Sequence, residues 1–366
     1  MHAWRISPFQ YRAAVVRGLS PVFSASALRA DGSSASIHQA LAEAQHAAYV
    51  AALRKLVPVV HELPPAEGCA DSCFIEDTAI VVGGTALITS PGAPSRRGET
   101  AGVAAALAGL GLRIVHAPAG CALDGGDVLF TGRELFVGLS NRTDRGGVAA
   151  VRAAFPGLSV TPLTLPGGRF DGNVRDRAGR KARSAARAAG DAAVAARRPA
   201  APPSAAAPAA AAPVRGASPG RAPPAPARPH VHAPGGACCG GDAQGALLPA
   251  PPFHALHLKS LMSLVAPDVI AVAGGDEGLA LAEQLQARQK ADPRRRPLQF
   301  IILPDAPAAN ALYANGRLLA RAAKDFPQSA ELLRAISGGG EAHVEVEVSE
   351  LAKADGALTC CALLIH

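Results

Sequence analysis

Four short polar clusters in the sequence carry side chains whose types suit catalysis. Each contains carboxylates, an imidazole or a thiol, and each stands just before an apolar run. Carboxylates this close together repel one another unless a cation lies between them, and a thiol that has an imidazole near it can act as a nucleophile. In chain order the clusters are Asp71 with Glu76 and Asp77, Asp124 with Asp127, His257 with Lys259, and Asp355 with Cys360 and Cys361.

Taken singly, each cluster also has an ordinary structural interpretation. Acidic residues before a strand are often solvated, a glycine pair is often a turn, a lone histidine is more often structural than catalytic, and a buried cysteine behaves as a small hydrophobic residue. Their positions favour the functional interpretation, because all four clusters precede strands of separate repeats. If the repeats close into a ring, a thiol, an imidazole and several carboxylates meet at one end and form a covalent catalytic site.

The elements that must position these clusters repeat along the chain. Paired apolar runs with tight turns predict four strand hairpins, each followed by a helical pattern and then by a short apolar strand. The N-terminal segments AAVVRGL, HQALAEAQHAAYVAALRKL and VPVVHEL form one more unit. Hairpin starts lie about 48 residues apart once residues 167–252 are set aside, and such a period is typical of repeat architectures. These units predict a closed, five-bladed α/β propeller. The predicted hairpins are residues 78–89, 127–140, 260–275 and 310–320.

Residues 167–252 differ in composition from the rest of the chain. The segment holds 12 Lys and Arg against 4 Asp and Glu, a net charge of +8, whereas the whole chain of 366 residues carries +7. It is rich in Ala, Pro, Gly and Arg and buries too little apolar surface to offset the entropy of ordering. We therefore predict a disordered insertion within a single domain of residues 1–166 and 253–366. The alternatives are a translated non-coding sequence and a binding arm, but the scarcity of aromatic residues disfavours nucleic acid.

Composition also indicates which broad classes of protein the chain resembles and which it does not. Seven cysteines form an odd number, and no signal-peptide pattern opens the chain, which favours reduced thiols and a cytosolic protein. No apolar run approaches the roughly 20 residues that a membrane span needs, so we expect no membrane insertion.

Five stretches of the sequence resemble the dimethylarginine dimethylaminohydrolases. They are FIEDTAIV, ALITSPGAPSRR, LDGGDVLFTGRELFVGLSNRT, HLKS and DGALTCCALLI, and the resemblance extends over nearly all of residues 10–165 and 253–366. That family has the pentein fold, a five-bladed α/β propeller with pseudo-fivefold repeats, in agreement with the period above. The insertion has no counterpart in the family. Ser90, Ala306 and Ala354 replace the family's usual Arg, Asp and Val.

The resemblance implies hydrolysis of N-omega-methylated arginines to citrulline and methylamine or dimethylamine, and so relief of nitric oxide synthase inhibition, with no cofactor. By position, Cys360 resembles the nucleophile, His257 the general acid and base, and Asp124 the carboxylate that orients the histidine. Zinc on Cys360 and His257 would be an inhibitor, since thiolate and imidazole are its preferred ligands. Residues that match substrate contacts are Asp71, Glu76, Asp77 and Asp355 for the guanidinium, Arg96 and Arg142 for the carboxylate, and Leu28 and Ala354 for the amino group.

Two other functions stay open at this point. The insertion lies directly before His257, and a displaced histidine would leave a binding or regulatory protein on the same fold. The other alternative is a related arginine deiminase or amidinotransferase. The expected partner is a small-molecule substrate, a methylated arginine, and neither nucleic acid nor a membrane is expected. The sequence leaves the oligomeric state open between a monomer and a weak homodimer.

Overall fold

The four predicted hairpins are all present, and each belongs to its own three-stranded sheet. The computed structural model describes residues 8–29, 35–167, 255–292 and 296–366, and these form five such sheets with one topology. In each sheet a central strand pairs antiparallel with one neighbour, called here the first strand, and in parallel with the other, called the third. A parallel pair needs a crossover connection, and a helix supplies it in every unit, as the sequence pattern predicts.

The element bounds follow the apolar patterns to within a few residues. The strands are β1 (Ala13–Arg17), β2 (Val59–Leu63), β3 (Ala79–Val82), β4 (Thr85–Ile88), β5 (Arg113–His116), β6 (Val128–Phe130), β7 (Glu134–Leu139), β8 (Ser159–Thr164), β9 (Met262–Ala266), β10 (Val269–Ala273), β11 (Gln299–Leu303), β12 (Leu312–Ala314), β13 (Arg317–Arg321), β14 (His343–Val346) and β15 (Leu363–Ile365). The helices are α1 (Phe23–Ser26), α2 (Gln39–Leu53), α3 (Thr100–Gly109), α4 (Arg145–Ala154), α5 (Leu258–Leu261), α6 (Asp276–Ala291), α7 (Pro327–Ser337) and α8 (Ser349–Ala352).

The first sheet combines strands from both ends of the described chain. Ala13 of β1 lies opposite Val59 of the parallel strand β2 and opposite Ile365 of the antiparallel strand β15. β15 therefore takes the place that the first hairpin strand holds in the other four sheets. For this reason the N-terminal stretch of the sequence shows a strand, a helix and a strand, but no hairpin.

The first strands of the five sheets line one cavity of about 140 Å³. Residues of all five strands, which are β15, β3, β6, β9 and β12, line this cavity. Some of these strands also contact one another, β3 with β15 and β9 with both β6 and β12. The expectation of an α/β fold with five repeated units is therefore confirmed. The sheets are separate, since none among the described residues closes on itself, and the propeller arrangement remains a proposal.

The apolar faces of strands and helices pack into four clusters of buried side chains. One contact in the second cluster bears on the site. Tyr49 of α2 is fully buried, and its hydroxyl donates a hydrogen bond of 2.7 Å to the carbonyl of Leu358. A buried tyrosine hydroxyl requires such a partner. The bond fixes α2 against the C-terminal turn that carries Cys360.

Three further expectations from the sequence concern membrane insertion, the state of the cysteines and the domain division. No helix in the described part of the chain is long and apolar enough to cross a membrane. The five cysteines at described positions are free thiols. The chain divides into one unit of residues 1–178 with 253–366 and a second of residues 179–252. The second unit lies outside the described residues, as do Cys238 and Cys239, so the predicted insertion and its bounds stay predictions.

Candidate active site

One narrow cavity brings together most of the residues that the sequence analysis selected. Nine of the eleven candidates line it; of the other two, Asp124 contacts His257, and Glu76 lines the central cavity. Phe74 and Leu256 also line the cavity, although neither was among the candidates. Phe74 opens the stretch FIEDTAIV, whereas the only signal for Leu256 is its position directly before His257. The nine are Leu28, Asp71, Asp77, Arg96, Arg142, His257, Ala354, Asp355 and Cys360.

The loops that enter the first strands position the reactive groups. Asp77 lies in the 3-10 turn Ile75–Thr78 before β3, and Asp124 precedes the turn Gly125–Asp127 before β6. His257 caps α5, which leads into β9, and Cys360 lies in the turn Thr359–Cys361 before β15. Asp77, His257 and Cys360 line the catalytic cavity together, and Asp124 contacts His257 at 2.9 Å. The structure therefore brings these four groups close together.

His257 is buried between carboxylates. Its Nε2 lies 2.9 Å from Oδ2 of Asp124 and 3.8 Å from Oδ1 of Asp77. Burial by itself lowers the pKa of the imidazole, but the negative charge of Asp77 and the hydrogen bond to Asp124 outweigh it and raise the pKa to about 9. His257 is therefore protonated at neutral pH and is equipped to act first as an acid.

Asp127 fixes the backbone that follows His257. This carboxyl is fully buried, accepts a bond of 2.9 Å from the Leu258 N–H, and accepts another of 2.6 Å from the Ser140 hydroxyl. Burial raises its pKa to about 6, although the charge of His257 and these bonds oppose the increase. The start of α5, and with it the histidine, is thus held by a neighbouring unit.

Asp77 is the most strongly paired carboxylate of the site. It accepts a 2.9 Å bond from the Gly126 N–H and forms an ion pair with Arg96. Burial opposes ionisation, but the charges of His257 and Arg96 together with the Gly126 bond lower the pKa of the carboxyl. Only glycine fits at position 126, because a Cβ there would lie 2.8 Å from both Asp77 Oδ1 and the ring of His257.

Arg96 is engaged within the protein. Its Nε lies 3.1 Å from Oε1 of Glu99, its Nη1 contacts Asp77, and its Nη2 donates to the Phe74 carbonyl at 2.8 Å. The residue is only 4% exposed. In this conformation its guanidinium holds the protein's own carboxylates, which differs from the contact with a substrate carboxylate that the resemblance implies.

Arg142 is the more available cation of the cavity. Its side chain is 16% exposed, and Nη1 lies 3.8 Å from Oδ2 of Asp124. Among the described residues that nitrogen has no hydrogen-bond partner. Asp124 is itself held by the Gly92 N–H at 2.7 Å and, through its own N–H, by the Thr143 hydroxyl at 3.1 Å.

Cys360 is 8% exposed, and its neighbour Cys361 is fully buried. Burial raises the pKa of the Cys360 thiol well above its usual value, and the charges of Glu76 and Asp77 add to the increase. The thiol is therefore protonated at neutral pH in this state. A cation bound beside it would favour the thiolate, which is the nucleophilic form.

The remaining candidates that line the cavity are Leu28, Asp71, Ala354 and Asp355. The N–H of Leu28 donates a 3.0 Å bond to Oδ1 of Asp71, and burial raises the pKa of that carboxyl. Ala354 is buried, and Asp355 has a positive φ of 56°. Phe74 fills the space next to this bend, since a Cβ at Gly356 would lie 2.2 Å from its ring.

Asp77, Asp124 and His257 each offer one ligand atom within 4.8 Å of one another, a spacing that suits a cation. A metal ion there would have to displace the proton on His257 and would face the charge of Arg96. Cys360 is not part of this group. Zinc binding by Cys360 and His257 stays a prediction.

The chain is similar to known proteins both in sequence and in structure. No family model matches the chain. A dimethylarginine dimethylaminohydrolase of Streptomyces coelicolor is 44% identical over 130 residues, which cover 36% of this chain and 50% of that protein. The human putative hydrolase DDAH2 is 40% identical over 156 residues, which cover 42% of this chain and 54% of that protein. The chain spans about half the length of the curated relatives it matches.

Solved structures match over almost the whole chain. A Pseudomonas aeruginosa dimethylarginine dimethylaminohydrolase, a cysteine-to-serine variant complexed with citrulline, superimposes with a TM-score of 0.65 at 20% identity and covers 98% of this chain and 100% of that one. The N-terminal domain of ArgZ, a cyanobacterial arginine dihydrolase, has a TM-score of 0.61 at 15% identity and covers 96% of this chain and 97% of that one. At these identities the likeness establishes the fold alone.

The repeated sheets and these structural matches define the α/β pentein fold. In sequence, the chain is similar to the dimethylarginine dimethylaminohydrolases over about two fifths of its length.

Proposed function

We propose that this protein hydrolyses asymmetric dimethylarginine and monomethylarginine to citrulline and dimethylamine or methylamine. Such a reaction removes methylated arginines and thereby relieves inhibition of nitric oxide synthase. The observation that carries the proposal is the meeting of a thiol, a protonated imidazole, carboxylates and a guanidinium around one cavity. The named relatives and the citrulline-bound structural neighbour support the substrate class. The five sheets around the common cavity support a propeller arrangement.

Binding of the substrate rests on groups of opposite charge that line the same cavity. Asp71, Asp77 and Asp355 carry the negative charge that attracts a guanidinium and fixes its plane. Arg142 is assigned to the substrate carboxylate, because it lines the cavity and its side chain is 16% exposed, whereas Arg96 is buried. Arg96 contributes by holding Asp77. Contacts remote from the reacting carbon align it with the nucleophile.

The first half of the reaction breaks the bond to the methylated nitrogen. The bound cation favours ionisation of Cys360, whose thiol proton passes to solvent water, and the thiolate Sγ attacks the central guanidinium carbon to give a tetrahedral intermediate. His257 holds a proton at neutral pH because its pKa is about 9. It transfers that proton to the departing nitrogen, the carbon–nitrogen bond breaks, and an S-alkylthiouronium on Cys360 remains.

The second half of the reaction consumes water. His257, now neutral, accepts a proton from a water molecule as that water attacks the thiouronium carbon. The second tetrahedral intermediate collapses as the carbon–sulfur bond breaks and its hydroxyl proton passes to the departing sulfur, so that citrulline leaves and the Cys360 thiol is regenerated. Asp124 keeps the imidazole in one orientation through both halves by means of its 2.9 Å contact with Nε2.

Substrate comparison tests this proposal. The purified full-length chain should release citrulline from asymmetric dimethylarginine and from monomethylarginine with a higher kcat/KM than from arginine. A higher kcat/KM for arginine would favour arginine hydrolysis, the second candidate function, for which the likeness to ArgZ is the specific observation. A folded protein that binds methylated arginine without turning it over would favour the binding or regulatory alternative.

A further inference from the structure

The loop before β12 contributes no reactive side chain, although it has the same place in its unit as the loops that carry the catalytic candidates. Its last residues include Asn310, which is 1% exposed. Asn310 lies directly before the segment that enters β12, as Asp77, Asp124, His257 and Cys360 lie before the first strands of their units. This residue was not among the candidates from the sequence.

The amide of Asn310 joins two of those loops. Its Nδ2 donates to the carbonyl of Lys259 at 2.8 Å and to the hydroxyl of Thr359 at 3.0 Å, and its Oδ1 accepts from the Thr359 N–H at 3.0 Å. Thr359 in turn donates from its hydroxyl to Oε2 of Glu76 at 2.9 Å, and Lys259 forms an ion pair with the other oxygen of Glu76. The four residues therefore form a closed ring of polar contacts.

This ring faces a different cavity from the candidate active site. Glu76, Lys259 and Thr359 line the cavity at the centre of the five sheets, whereas their chain neighbours Asp77 and Cys360 line the catalytic cavity. His257, two residues before Lys259, also lines the catalytic cavity. Each loop thus places one side chain in the ring and another in the site.

We propose that Asn310 is a positioning residue, which sets the distance between the Cys360 turn and the His257 turn through its three hydrogen bonds. The proposal rests on the proposed function for its catalytic consequence. Reacting groups must be held within a fraction of an ångström, and a displacement of about 1 Å costs roughly 100-fold in rate. Because the amide is buried and its hydrogen-bonding groups are used, no water or neighbour can replace it without moving one of the turns.

Two changes break the ring from different sides. Asn310→Asp keeps the size of the side chain but replaces two donated hydrogen bonds by repulsion from the oxygens of Lys259 and Thr359. Thr359→Val removes the hydroxyl that links Asn310 to Glu76, whereas Thr359→Ser retains it and serves as the conservative variant.

Asn315 provides the matched control. It lies in the next turn of the same hairpin, and it also makes three side-chain hydrogen bonds, with the backbone of Tyr11 and Leu56. Asn315→Asp therefore disturbs a partly buried amide that makes as many hydrogen bonds but touches none of the catalytic turns.

The first readout does not depend on turnover. The rate at which iodoacetamide alkylates Cys360, followed by mass spectrometry against pH, reports the surroundings of the thiol. Glu76, Asp77 and Lys259 are the charged groups that act most strongly on this thiol. We expect the midpoint of the profile to move to higher pH in Asn310→Asp and Thr359→Val, which add or expose negative charge beside it, and to stay in place in Thr359→Ser and Asn315→Asp.

The second readout is steady-state kinetics with asymmetric dimethylarginine. We expect Asn310→Asp and Thr359→Val to lower kcat about 10- to 100-fold with KM changed less than about threefold, because none of the four ring residues lines the catalytic cavity. Wild-type values in both ring-breaking variants, or equal losses in all four variants, would overturn the positioning role. Absence of turnover in the wild type would contradict the proposed function, while the alkylation profiles would still decide the role of Asn310.

Discussion

Nε2 of His257 lies 2.9 Å from Oδ2 of Asp124, although 133 residues separate the two in the sequence. The pair forms because each residue precedes the first strand of its unit, and those two strands, β6 and β9, contact each other. The contact helps to keep His257 protonated in a buried place. It therefore links the repeat architecture directly to proton transfer.

The stability of the protein should depend on the charge of His257. The pKa of this histidine is about 9 in the folded state and about 6.5 in an unfolded chain. A raised pKa contributes stability that is fully present below about pH 6.5 and is lost as the pH rises through 9. We expect the melting temperature to fall between pH 6.5 and 9.5, and His257→Gln to flatten that part of the profile. An unchanged slope in the variant would contradict the assigned charge.

Arg96 should matter more for stability than its neighbour in the chain. Arg96→Met would leave Asp77 and Glu99 buried without their cation, at a cost of about 3 to 5 kcal/mol. Arg97→Met removes an exposed side chain that donates to the Pro91 carbonyl, and we expect a change below about 1 kcal/mol. Urea unfolding of the two variants measures the difference. Equal, small effects would show that Arg96 is not needed to neutralise these carboxylates.

Gly126 should be essential for activity. A methyl group there would overlap Asp77 and the imidazole of His257, so Gly126→Ala should lower kcat by about 100-fold or more. Gly84→Ala is the control, because a Cβ at that turn meets no atom within 4 Å. Circular dichroism establishes whether both variants fold. Near wild-type turnover of folded Gly126→Ala would show that the histidine can move without loss of function.

Removal of residues 167–252 should leave a folded protein that is at least as stable as the full chain. The reason is compositional, since the segment offers few large apolar side chains for a core. Thermal unfolding of the deletion variant beside the full chain measures the effect. A large drop in melting temperature would contradict the prediction and would show that the segment takes part in the fold.

The sequence predicted the units of this fold because each repeat carries the same local signals. Turn residues and apolar runs mark the hairpins, and the Asn315–Gly316 pair, with φ of 53° and 79°, forms the kind of two-residue turn that such dipeptides favour. The pairing of β1 with β15 could not be predicted from the sequence, because a contact between the first and last strands leaves no local pattern.

The candidate site was predicted as a set of residues but not as a network. Motif positions identified Cys360, His257 and Asp124, which the loops bring together. They did not reveal that Arg96 is engaged by Asp77 and Glu99, because such pairing depends on distances that only the fold defines. Asn310 carried no signal either, since a single buried amide before a strand resembles any loop residue.

The most direct test of the proposed reaction is citrulline release from asymmetric dimethylarginine by the full-length chain, with Cys360→Ser and Cys361→Ser beside it. We expect turnover in the wild type, none in Cys360→Ser, and largely retained turnover in Cys361→Ser, since Cys360 lines the catalytic cavity and Cys361 does not. Equal loss in both variants, or turnover that survives in Cys360→Ser, would contradict the assignment of Cys360 as the nucleophile.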